Sequence, residues 1–215
     1  MKQIKISIKS VGRIVLFEYE SEDNTIKKTV ERAISSSANL RSANLCSANL
    51  RFADLRSANL CSADLRFADL RFADLRSADL RSANLCSANL RSADLRSADL
   101  KDIINLPQSY INQCSRDILF IFRSLKKELP FLKEKLLAGE IDGTQYEGKC
   151  ACLIGTLAKA NGEINKVCQT ITFYDKGLHN FGEQWFYQIK KYDTPDNNFF
   201  AKHVLKLINI VEDEI

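Results

Sequence analysis

Leucine stands at every fifth position from Leu40 to Leu100, and alanine stands two residues before each of these leucines. The result is thirteen uninterrupted pentapeptides of the kind SANLR, SANLC and FADLR. This period excludes the two commonest regular structures. On an α-helix five residues advance the side-chain direction by about 500°, a net of about 140°, so successive leucines would wander round the cylinder instead of forming a stripe. On a straight strand the faces alternate with period two, so an odd spacing would throw successive leucines to opposite sides. What is left is a chain that bends once per repeat, always in the same sense, with Leu and Ala facing a common interior and the other three positions facing out. The expected core is therefore Leu40, Leu45, Leu50, Leu55, Leu60, Leu65, Leu70, Leu75, Leu80, Leu85, Leu90, Leu95 and Leu100.

The remaining letters agree with a bending chain. Asn, Asp and Ser support tight turns through side chain to backbone hydrogen bonds and are poor residues for long strands. Stacked coils would bond main chain to main chain at about 4.8 Å. The A(D/N)LXX pattern from Ser37 to about Lys101 resembles the pentapeptide-repeat family. That resemblance implies a right-handed, quadrilateral β-helix in which four repeats make one turn, and it implies no activity by itself. Thirteen repeats would then give about three and a quarter coils, a rod of roughly 16 Å whose two open ends need capping.

With a twenty-residue coil, outward residues twenty apart form columns. Arg51, Arg71 and Arg91 share one column and Arg56, Arg76 and Arg96 another, with Asp54, Asp74 and Asp94 between them, so the charges are expected to offset one another. Phe52, Phe67 and Phe72 replace the usual Ser. The first and last share a column, and Phe67 lies one face earlier. These aromatics are either covered by the chain's own terminal segments or form, with Arg51, Arg71 and Arg91, a surface for a protein partner; single-stranded nucleic acid is the less favoured ligand.

The flanks read differently. Residues 1–34 are expected to be a hairpin, "IKISIKS" and "RIVLFEYE" turning at Val11 and Gly12, followed by a helix with Ile26, Val30 and Ala33 on one face. This cap precedes the β-helix of residues 35–105. After Leu100 the repeat fails, with Asn105 where the next leucine would stand, and residues 106–215 are expected to form a mostly α-helical C-terminal domain. Its helices are expected after Ser115, through "FLKEKLLAG" to Gly139, and after Thr194 and Pro195, with Phe200, Val204, Leu207 and Val211 facing inward. The segments "GTQYEGKCACLIGTLAKANG" and "YDTPDNNFFAKHVLKLI" resemble a C-terminal module of phage and prophage pentapeptide-repeat proteins, which implies a mobile-element setting and no chemistry.

Seven scattered cysteines do not make a secreted disulfide framework, and Cys46 and Cys86, two coils apart at about 10 Å, are too far apart to bridge. Lys2, Lys5, Lys9 and Arg13 interrupt the apolar N-terminal stretch, so neither a signal-peptide core nor a membrane span can be built there, and a cytoplasmic location is expected. Glu147, Cys150, Cys152, Cys168, His179 and His203 are the one constellation with metal or nucleophile chemistry, but their spacing is not that of a standard zinc site and no catalytic signature accompanies them. No cofactor is called for.

The expected function is that of a non-enzymatic scaffold for an unidentified protein partner, without a membrane and with a homodimer left open by the sequence. Two readings remain beside it. One is a gyrase-directed DNA mimic, as the family resemblance allows, against which stands a repeat region with ten Lys and Arg to seven Asp. The other is a thiol or metal site with enzymatic activity in the C-terminal domain.

Overall fold

The computed structural model describes residues 3–143 and 181–214. The chain divides into two compact units, residues 1–111 and 112–215.

The first unit opens with two antiparallel strands, β1 (Ile4–Lys9) and β2 (Val15–Ser21), in register from Ile4 opposite Ser21 to Ile8 opposite Phe17, with an irregularity at Lys9. Helix α1 (Ile26–Ser35) follows. Its first turn is capped by the Thr25 hydroxyl, which accepts from the Lys28 amide, and Val30 and Ala33 are buried beneath it. Buried Asn24 joins hairpin to helix, donating to the Ile4 and Tyr19 carbonyls at 3.2 and 2.7 Å while its own oxygen accepts from the Thr29 hydroxyl. The hairpin tip pairs with the first coil: Ser10 bridges Ala43, the Val11 amide donates to the Ser42 carbonyl, and the Asn44 amide donates to the Lys9 carbonyl. Backbone groups that would otherwise form an open edge are thereby occupied.

The repeats build a ladder. Parallel bridges join Asn44 to Asp64, Asn49 to Asp69 and Asp54 to Asp74, and continue with the same twenty-residue offset to Asn84 and Ile104. One coil is thus four pentapeptides. From Ala43 to Ala98 each alanine amide donates to the leucine carbonyl three residues earlier, as from Ala73 to Leu70 at 3.1 Å, closing a β-turn. The residue before each alanine sits in the left-handed region, with φ between 55° and 59° from Ser37 to Ser97. Every core leucine is buried, with exposures of 0 to 2%. The coil also outlasts its sequence pattern: Ile103 takes the alanine place, and Ile104 exchanges hydrogen bonds with Ala83 and Leu85 before Asn105 ends the ladder.

After the repeats, α2 (Gln108–Ser124) begins well before Ser115, where the sequence suggested a cap. Pro107 starts it, its carbonyl accepting from Tyr110 and Ile111, and Ser115 lies inside the helix. A 3₁₀ turn (Lys126–Glu128) leads into α3 (Leu129–Leu137), which ends at Gly139 with φ 65°. A short helix, α4 (Phe181–Phe186), carries Trp185, and α5 (Phe199–Glu212) buries Phe200, Val204, Leu207 and Val211. The cap of α5 is Asn198, whose side chain accepts from the Ala201 amide. Thr194 instead closes the preceding turn, its carbonyl accepting from Asn197 and Asn198. Among the described residues no helix is long and apolar enough to cross a membrane.

Two stability outcomes follow. Leu70→Ala should lower the unfolding free energy by about 2–5 kcal/mol in a denaturant titration, from lost burial plus a cavity. At the left-handed Ser77, Ser77→Val should cost about 1–2 kcal/mol, whereas Ser77→Asn should stay within about 0.5 kcal/mol, because asparagine tolerates that region and a β-branched side chain does not.

Candidate interaction surface

The second letter of each repeat does more than permit a turn. In all thirteen repeats the Oδ1 atom of this Asn or Asp accepts from the backbone N–H two residues on, from Asn39 with Arg41 at 3.0 Å to Asp99 with Lys101 at 3.0 Å. Where the residue is Asp and the next outward residue is Arg, the guanidinium folds back onto the same carboxylate. In the pairs Asp54–Arg56, Asp64–Arg66, Asp69–Arg71, Asp74–Arg76, Asp79–Arg81 and Asp94–Arg96, Nε lies 2.8–2.9 Å from Oδ1 and Nη2 lies 2.5–2.7 Å from Oδ2. Longer contacts climb the column, Arg56 to Asp74 and Arg76 to Asp94 at 3.7 Å each. The arginine hydrogen bonds hold Asp54, Asp64, Asp69, Asp74 and Asp79 below the usual carboxylate pKa.

Asn cannot hold an arginine this way. Arg41, Arg51 and Arg91 follow Asn39, Asn49 and Asn89, and among the described residues no carboxylate lies within ion-pair distance of them. The column expected to act together therefore divides: Arg51 and Arg91 are exposed and unclamped, while Arg71 between them is committed to Asp69. Arg41 belongs with the unclamped pair, and the Asn two residues before it is the signal that identifies it.

Beside this column the Phe52 and Phe72 rings stack, centroids 4.9 Å apart and 12° from parallel. The Arg51 guanidinium carbon lies 4.7 and 5.6 Å from the two centroids. Phe52, Phe67 and Phe72 are 55, 61 and 43% exposed, so the hairpin and α1 leave all three open to solvent. Phe67 makes no ring contact among the described residues, because Ser47 and Ser87 occupy its column. In a groove beside α1, lined by Tyr19, Lys28, Arg32, Asp54 and Arg56, Lys28 pairs with Asp23, Arg56 with Asp54, and Glu31 with the Asp54 amide, while the Arg32 guanidinium carbon lies 6.0 Å from the centroid of the Tyr19 ring.

The family model described as pentapeptide repeats matches residues 38–71 and 63–102, in eight copies. Residues 38–102 are a pentapeptide-repeat region. No curated protein matches the chain. Among solved structures, a pentapeptide repeat protein from the Arabidopsis thaliana thylakoid lumen is 26% identical over 34% of this chain and 50% of that one, with a TM-score of 0.32. The pentapeptide repeat protein Rfr23 from the cyanobacterium Cyanothece is 37% identical over 29% of this chain and 44% of that one, with a TM-score of 0.28. HetL, a pentapeptide repeat protein involved in heterocyst differentiation regulation in Nostoc, is 37% identical over 28% of this chain and 35% of that one, with a TM-score of 0.13. The chain spans half or less of the length of each.

In the helical unit His203 Nε2 and the Ser115 hydroxyl are 2.8 Å apart, tying α2 to α5, and the His203 ring lies 4.7 Å from that of Trp185. Burial, with a smaller contribution from Lys206, lowers the His203 pKa. Glu147, Cys150, Cys152, Cys168 and His179 lie outside the described residues, as does the segment "GTQYEGKCACLIGTLAKANG". Among the described residues no group of three or more His, Cys, Asp or Glu could hold a metal ion, and Cys46, Cys61, Cys86 and Cys114 are free thiols.

The clamped aspartates set a pH dependence for the pentapeptide-repeat unit. Their folded pKa values lie below that of an unfolded aspartate, about 3.9, so their stabilising contribution is present above that pH and is lost as pH falls below it. The urea midpoint should stay level between about pH 7 and 5 and fall below about pH 4, and an Arg76→Gln/Arg81→Gln variant should show a shallower fall. A midpoint unchanged at pH 3 would contradict the clamping.

Proposed function

We propose that the chain is a non-enzymatic protein-interaction scaffold. In this reading the repeats form the right-handed, quadrilateral β-helix of pentapeptide-repeat proteins, and that rod presents one face to a protein partner in the cytoplasm. The observation that carries the proposal is the stacked Phe52 and Phe72 pair, exposed beside Arg51 on a ladder whose other outward charges are largely paired among themselves. Aromatic and arginine side chains are the residues most enriched where binding energy concentrates. A rigid backbone ladder holds them without the ordering cost a loop would incur. A DNA-mimicking role would need unneutralised acid along the rod, whereas six of the seven repeat aspartates are each clamped by an arginine. A phage or prophage setting rests on the C-terminal likeness alone.

Affinity capture from a lysate of the natural host, with wild type beside a Phe52→Ser/Phe67→Ser/Phe72→Ser variant, tests the reading. Serine occupies the same left-handed position in the other ten repeats, so the variant should keep its fold, which circular dichroism would verify. The expected result is a protein recovered by wild type and lost, at least tenfold, with the variant. Equal recovery by both, or nothing above background, would move function off the repeat surface.

A further inference from the structure

The choice of Asn or Asp at the second repeat position decides which arginines can meet a ligand. On the face that carries the stacked rings this position reads Asn49, Asp69, Asn89, and the outward arginines are Arg51, Arg71 and Arg91. Three arginines against one aspartate leave a surplus of two positive charges. Asp69 clamps Arg71, so that surplus resides on the exposed guanidinium groups of Arg51 and Arg91. The neighbouring face, Asp54, Asp74 and Asp94 with Arg56, Arg76 and Arg96, has no surplus.

We infer that the Phe52/Phe72 face, with Arg51 and Arg91, binds an acidic segment of a protein partner. This rests on the scaffold reading above and adds the partner's chemistry. At about 4.8 Å per coil, Arg51 and Arg91 stand about 10 Å apart along the rod, with the rings beside the lower of them. Carboxylates meet the two guanidinium groups while apolar side chains meet the aromatic pair. Single-stranded nucleic acid fits less well. One face of each ring is already taken by the other ring, which removes surface that bases would stack on. Two unclamped arginines also supply little counterion release, the main source of affinity for a polyanion.

The test uses the full chain and three fluorescein-labelled probes, read by anisotropy: a dodecapeptide alternating Glu with Leu, its counterpart alternating Lys with Leu, and a twelve-residue oligothymidine. The acidic peptide should bind most tightly. Binding should weaken at least tenfold in Arg51→Gln/Arg91→Gln. It should weaken as much in Asn49→Asp/Asn89→Asp, where both arginines remain but each gains a clamping carboxylate, and the turn hydrogen bond survives because Asp accepts it equally well. Lys202→Gln/Lys206→Gln, which removes the same charge from the helical unit, should change binding less than twofold. Equal losses in all three variants would reduce the effect to net charge and overturn the inference. So would tighter binding of the oligothymidine or the basic peptide, or no binding of the acidic one. If these failures accompany a lysate partner that still depends on the phenylalanines, only the acidic chemistry falls. If no such partner exists, the scaffold reading falls with it.

Discussion

The turn hydrogen bond from the backbone N–H to the Asn or Asp Oδ1 two residues earlier underlies everything else in the repeat unit. It recurs in all thirteen repeats, from Asn39 to Asp99. A bend at every fifth residue, always in one sense, is what sends Leu and Ala inward and places strands twenty residues apart in parallel register. The leucines then close a core in which each coil covers the next, as in other solenoids where neighbouring repeats bury each other's apolar surface. Without the polar side chain at the turn, the apolar pattern would have no reason to coil.

The same side chain governs the electrostatics. Asp and Asn present the same Oδ1 to the backbone, so the fold accepts either. Only Asp has a second carboxylate oxygen to complete a two-point grip on an arginine, and the six clamped pairs use it. Fold and surface charge are therefore set by different atoms of one residue. Isolated surface ion pairs contribute little to stability. The ladder matters more for what it withholds from solution than for what it adds to the fold: most of the positive charge is directed into the rod's own surface.

Much of this was legible in advance because it depends on periodicity. The buried leucines and the hairpin followed by a helix follow from spacing and composition, whereas the columns twenty residues apart follow from the resemblance to pentapeptide repeats, because a period of five does not say how many repeats close a coil. Less legible were features in which two local options compete. Arg71 shares a column with Arg51 and Arg91, but its state depends on a residue two positions back. In α2, Ser115 looks like a cap, yet Pro107 starts the helix earlier, leaving Ser115 to meet His203 from α5, a contact between residues 88 apart in sequence. At the start of α5 the apolar stripe was plain, but both Thr194 and Asn198 have capping chemistry, and the turn formed by Thr194 leaves the cap to Asn198.

The phenylalanines show how the backbone can force an exposed aromatic. Each sits immediately before the inward alanine, in the left-handed turn position otherwise held by serine. The repeat turns only its Leu and Ala positions inward, so a large side chain at the turn cannot be drawn into the core without breaking the register that buries the leucines. What it can do is meet an identical side chain one coil away. The spacing between Phe52 and Phe72 is one full coil, and their ring separation of 4.9 Å matches the rise expected between hydrogen-bonded strands, about 4.8 Å. Phe67 has serine above and below and meets no other ring among the described residues. The stack is therefore a consequence of coil length acting on two substitutions twenty residues apart, and the ladder that aligns the rings also fixes Arg51 against them.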